Sequence, residues 1–255
     1  MSLLTRFKSD PQNLIGPNLG RAPVREINLS GTEISFNCPP QTAQIPAFSG
    51  GNNFDINTAG EVEFHNINLA SKLIFSSGWN FYDKSFMGTG YGGLDVGIVL
   101  LHEIEKHDKD WSLLKKKYFE RWLIERNERN YGSLNKEKWE NRGKYASPIT
   151  PEGSFWQYPK TAEDLQWHNY NNRDWVYYET FQPRRVPRMM YETAISHQHV
   201  VSVSWKPNAF HGLDFFSPKH NLRAATKSLM ESIMATMKIE LSPDAQHQYD
   251  EAMSK

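Results

Sequence analysis

Cysteine is nearly missing from this chain of 255 residues; Cys38 is the only one. A lone thiol excludes an internal disulfide, and a chain of this length can bury a substantial core without covalent help. No apolar run approaches the roughly 20 residues that span a bilayer. The longest candidate, Val96 to Leu101, is interrupted at Gly97 and followed by His102 and Glu103. Residues Met1 to Lys8 lack the apolar stretch of a secretory signal. We therefore expect a soluble protein of the reducing cytoplasm that does not associate with membranes.

Net charge is missing too, since 29 basic residues balance 29 acidic ones. A neutral total offers no long-range attraction for a polyanion, so nucleic acid is not the expected partner. Charge is nonetheless concentrated between residues 101 and 145, where cations and acids interleave as on a solvated helix face.

Catalytic signatures are scarce. There is no Gly-x-Ser-x-Gly elbow, and Cys38, followed by two prolines, reads as a buried or inert thiol. The run from Gly88 to Gly93 is glycine-rich, but it leads into a strand and no Lys-Ser/Thr pair closes it, so it reads as a hairpin tip and not a phosphate cradle. His102 to His107 nearly spells a zincin motif, with Lys106 standing where the second histidine must be. Glu61/Glu63 and Glu103/Glu105 share strand faces, as charged strand ends commonly do.

His197 and His199 make a better metal candidate, because alternate residues of a strand face one way and two imidazoles could meet one ion. No third ligand has diagnostic spacing, although His211, Asp214 and His220 lie near in sequence. We expect ordinary edge-of-core histidines, no metal and no cofactor.

What is present is best read from the end of the chain. Met189, Tyr191, Thr193 and Ile195 alternate with Arg188, Met190, Glu192 and Ala194, and Val201, Val203 and Trp205 alternate with Ser202, Ser204 and Lys206. That period predicts antiparallel strands with one wet face. After Ser217-Pro218, read as a cap and a first helical residue, Leu222, Ala225, Leu229, Ile233 and Met237 form one helical stripe that must lie on the sheet.

Earlier in the chain, residues 1–60 are loop-rich, with one or two short strands over Glu26 to Asn37 broken at Ser30-Gly31. Glu61 to Leu69, Lys72 to Asp83 and Leu94 to Ile104 read as strands. The last is apolar on both faces at its middle and so belongs in the interior of a sheet. With Asp110 as its cap, a helix carrying Trp111, Leu114, Tyr118 and Trp122 should end near Tyr131-Gly132, and a second short one could follow from Asn135 to Arg142. Residues 145–173 form an irregular insert rich in aromatics, asparagine and proline.

The run from Met190 to Trp205, with the helix ending in Leu229 to Leu241, resembles the close of PsbP-like and DcrB-like domains. The resemblance covers the C-terminal third. It implies an antiparallel sheet sandwiched by helices, supplies no catalytic residue, and brings in bacterial immunity proteins that neutralise toxins of type VI secretion. The sequence thus predicts a single α+β domain over residues 1–255, a mostly antiparallel sheet covered by helices.

The expected function is binding of a protein partner by the aromatic insert, with the narrower expectation of an immunity protein occluding a cognate toxin. Trp156, Tyr158, Trp167, His168, Tyr170 and Arg173 are the expected contacts, since Trp, Tyr and Arg dominate protein-binding hot spots. The alternatives are a hydrolase or metal-dependent enzyme using His197 and His199, and an assembly factor of a secretion apparatus.

Overall fold

The computed structural model describes residues 9–46, 48, 50–58, 61–63, 66–85, 87–105, 110–210 and 212–254. Strands β1 (Val24–Leu29) and β2 (Thr32–Asn37) form a hairpin about Ser30 and Gly31, whose positive φ values of 50° and 93° are those a two-residue turn requires. The expected break between two strands is thus the turn itself. β3 (Asn53–Phe54) runs parallel to β1. β4 (Glu61–Glu63) lies beside β5 (Asn66–Tyr82), which makes a long antiparallel hairpin with β6 (Gly90–Glu103).

The two strands read from Glu61 to Asp83 are therefore divided elsewhere, after Glu63. Beyond that point β5 is continuous, because an irregularity between Leu73 and Phe75 lets Ile74 reach the core while Ser71 and Lys72 stay in the ladder with Leu101 and Leu100.

Three helices follow, α1 (Lys116–Asn127), α2 (Ser133–Glu140) and the single turn α3 (Pro151–Ser154), with a π-helical stretch over Glu128–Gly132 joining the first two. α1 starts later than the Asp110 cap implied. Leu113 N donates to the His197 carbonyl at 3.0 Å and the Ser112 hydroxyl accepts from Leu114 N at 3.1 Å, so residues 111–115 form a strap tied to the sheet.

The chain then lays down β7 (Gln166–Tyr170), β8 (Arg173–Thr180), β9 (Arg188–Ala194) and β10 (His199–Ala209), followed by α4 (Leu222–Thr236), β11 (Lys238–Glu240) and α5 (Pro243–Met253). The insert over 145–173 is thus only partly irregular, since it ends in a strand. Asn221 occupies the N-cap position of α4, and the Ser217 hydroxyl instead accepts from Lys219 N at 3.2 Å.

Seven strands make one antiparallel sheet in the order β4-β5-β6-β10-β9-β8-β7, and a smaller sheet runs β11-β2-β1-β3. Ile34 and Leu29 of the small sheet share one buried cluster with Trp79, Ile98, Trp175, Val203 and Trp205 of the large sheet and with Leu222, Ile233 and Met234 of α4. Side chains of this size contribute about 1.5–3 kcal/mol each when fully buried, so this cluster holds the two sheets and α4 as one body.

A second cluster on the opposite face joins Leu101, Val176 and Val200 to Leu113, Phe119 and Leu123. The result is the expected α+β sandwich, with an additional sheet and a final helix that the sequence pattern did not foretell. Among the described residues no helix is long and apolar enough to cross a membrane.

The expectation of one wet face holds only at one end of the central strands. Ser204 and Met190 are half-buried and Lys206 is exposed, whereas Glu192, Ala194, Val200 and Ser202 are buried beneath the α1 layer. There Arg126 donates to both Glu192 oxygens, at 2.7 and 2.9 Å, and to the Tyr178 hydroxyl at 2.6 Å. The Ser202 hydroxyl donates to Glu192 at 2.5 Å.

α5 begins at a capped turn in which Ser242 Oγ accepts from Ala245 N at 3.2 Å and Pro243 takes a first-turn position. Ser242→Ala should cost about 1 kcal/mol, felt mainly as faster amide exchange across α5. Exchange rates there that match the wild type would show that packing alone holds the helix.

Candidate functional site

β7 splits the predicted contact residues between the two faces of the large sheet. Trp167 turns toward α1, where its ring meets Phe119 edge-on at 6.2 Å and its Nε1 donates to Glu120 at 2.8 Å, with Lys116 Nζ 4.8 Å from the ring centre. His168 and Tyr170 join Tyr177 and Tyr191 in a ring cluster with centroids 4.9–6.1 Å apart. Trp156 lies 4.9 Å from the Tyr131 ring, and its backbone N–H and C=O both bond to Asn135.

Nearby, the Tyr158 hydroxyl donates to Glu128 at 2.8 Å. Its pKa is pushed up to about 12, first by burial and then by that carboxylate. All six residues are half-buried, and they occupy three places.

Trp167 and Arg173 share the third of these places. They border an open groove of about 510 Å³ with a floor of Leu113, Leu114, Phe119, Ala194 and Ala252. Arg173 donates to the Ala194 carbonyl and lies 5.1 Å from the centre of the Tyr249 ring. Burial draws its pKa below the usual guanidinium value. Lys115 and Lys116 line one side, and Met253, exposed by 54%, lines the lip. Tyr249 and Met253 escaped sequence reasoning, although Ser242-Pro243 is a helix-start signal and Ala245, Tyr249 and Ala252 keep helical spacing.

Two other cavities have different characters. One, of about 540 Å³, is lined by Trp111, Tyr118 and Trp122 with charged groups among them. Within it Glu103 accepts from Trp122 Nε1 at 2.5 Å, and Arg121 and Arg129 pair with Glu125 at 2.7 and 3.9 Å. The other, of about 290 Å³, holds Cys38. That thiol is buried and its pKa is raised, with desolvation the leading cause. A neutral thiol is a poor nucleophile, in agreement with the inert reading.

His197 and His199 do not converge on one point. His197 Nδ1 lies 2.7 Å from the Ser112 hydroxyl, on the strap before α1. His199 Nε2 donates to the Ile56 carbonyl at 3.1 Å, so its Nδ1 accepts from Ser196 Oγ at 2.8 Å. Its ring stacks on His102 at 4.3 Å between centroids. No group of three or more His, Cys, Asp or Glu among the described residues is placed to hold a metal. Lys106, His107, His211 and the side chains of Glu61 and Glu63 lie outside the described residues.

Comparison with protein-family models, curated proteins and solved structures finds no match.

Proposed function

We propose that this chain is a protein-binding protein whose partner seats on the groove between α1, α5 and the β7–β8 end of the large sheet. The observation that carries this reading is the meeting of Trp167, Arg173, Tyr249 and Met253 around an open apolar floor. Trp, Tyr and Arg are the side chains that dominate binding energy at protein interfaces, and Met adapts to varied partners. The aromatic corner of Trp156 and Tyr158 is a secondary contact. The narrower proposal, an immunity protein of the cytoplasm that occludes a secreted toxin, is supported by the C-terminal resemblance alone.

Affinity capture from the native cell, done in parallel with wild type and Trp167→Ala, tests the groove. A hot-spot tryptophan contributes about 2 kcal/mol or more, so the variant should bind the captured partner about 30-fold more weakly while keeping its circular dichroism spectrum. Trp139→Ala, which removes an exposed indole of α2 outside the groove, should bind as the wild type does. Equal capture by all three proteins would remove the groove from the interface. A stoichiometric small effector supports the immunity form, whereas a component of a secretion machine supports the assembly-factor alternative.

A further inference from the structure

Four strands end the two sheets, and three of them are poor templates for pairing. β3 has two residues, β11 has three of which two are charged, and β4 has three with a register irregularity at Val62/Glu63. Short, charged or bulged edges are the usual protection against stray strand addition. β7 has none of these. Its five residues, Gln166 to Tyr170, carry no Lys, Arg, Asp, Glu or Pro and pair with β8 in unbroken register. Among the described residues β8 is its only strand neighbour, and Gln166 and Asn169 are exposed. Along its outer side alternate backbone N–H and C=O groups therefore meet no strand of the described residues.

The surroundings of that edge select a ligand. A strand added there would lie about 4.8 Å from β7 and send its side chains alternately to the two faces. On the α1 face they would lie beside Trp167 and Lys116. Lys116 keeps 66% of its side chain exposed while its Nζ stands 3.9 Å from Glu120, which also accepts from Trp167 Nε1, and Asp174 accepts from Asn169 Nδ2 at 2.7 Å. Lys115, Lys116 and Arg173 outnumber those two carboxylates, so that face favours an acidic residue. On the other face they would lie beside His168 and Tyr170, which favour an aromatic or β-branched residue across the strands.

We infer that the outer edge of β7 takes up an extended segment of the partner protein, with acidic side chains on the Trp167 face alternating with apolar ones on the Tyr170 face. This deepens the protein-binding reading and rests on it. Backbone pairing supplies affinity, and the alternating side chains supply selectivity.

The test is a random peptide library displayed on phage and panned against the full chain. Selection should enrich segments in which acidic and apolar residues alternate, and a synthetic enriched peptide should bind in fluorescence polarisation. Lys116→Glu, at an exposed position, should weaken it about 10-fold. N-methylation of peptide amides at one set of alternate positions should abolish binding, and methylation of the other set should leave it, as only strand addition requires.

Enrichment of basic peptides, or of none, overturns the inference. Peptides indifferent to both N-methylated sets but lost with Tyr249→Ala overturn it as well, while leaving the groove as a protein-binding site. Light scattering that shows a dimer formed through β7 would assign the edge to a second copy of this chain and overturn it too.

Discussion

Replacing Glu192 with alanine is expected to cost about 3–5 kcal/mol of folding stability, read as a fall in the urea midpoint at unchanged slope. Against a total of roughly 5–15 kcal/mol for a folded domain, that places the variant near the edge of folding. Glu192 is fully buried, and it accepts two bonds from Arg126 and one from Ser202. Arg126 is itself held over the Trp122 ring at 4.6 Å and bonded to Tyr178. Removing the carboxylate leaves a guanidinium desolvated without its counter-charge, which is far more costly than losing one hydrogen bond in water.

The double variant Arg126→Leu with Glu192→Leu removes both charges together. It should recover most of the loss, because two matched apolar side chains carry no desolvation penalty. The summed losses of the singles Arg126→Leu and Glu192→Leu would then greatly exceed the loss in the double variant, which is the signature of coupled sites. A single variant no weaker than a surface substitution, within about 0.5 kcal/mol, would mean that water reaches the pair and that the α1 layer is looser than it looks.

This pair also shows where the sequence stopped being readable. The strands over Arg188–Ala194 and His199–Ala209 and the helix over Leu222–Thr236 are legible because alternation and helical spacing report a buried face directly. The same alternation assigns Glu192 and Ser202 to water. Only the tertiary placement of Arg126, on a helix face read as solvated, reverses that assignment. Periodicity likewise says nothing of which strands pair at long range, so the four-stranded sheet was hidden even though β1, β2 and β11 each carry some strand signal.

In the candidate site, Trp167 and Arg173 were found by residue type. Residue type alone grouped them with His168, although Trp167 and His168 are neighbours on β7 and point to opposite faces. Tyr249 was overlooked because a helix that buries little more than Ala245 and Ala252 leaves a faint apolar stripe.

The stacked histidines carry the other large effect, a loss of stability in mild acid. His199 is 7% exposed, and its pKa is lowered from 6.5 to about 4. Burial is the main cause, followed by the His102 ring against it, and the bond to the Ile56 carbonyl opposes both. His102 is itself lowered, mostly by burial and against the pull of Glu103. A histidine whose folded pKa lies below its unfolded value stabilises the fold fully above about pH 6.5. As pH falls, the unfolded chain takes up the proton first, so stability drains away until pH 4, where the folded form is protonated as well.

A gap of about 2.5 units at roughly 1.4 kcal/mol each corresponds to about 3 kcal/mol across that window. Urea midpoints measured from pH 7.5 to 4 should show it as a difference between the wild type and His199→Gln, whose amide cannot titrate and still has a donor for Ile56. Two parallel pH profiles would show that the ring is hydrated and that the stack with His102 places no restriction on its proton. Their divergence below about pH 6.5 would instead show that a neutral imidazole is part of what holds the Asn53–Thr58 segment against the end of the large sheet.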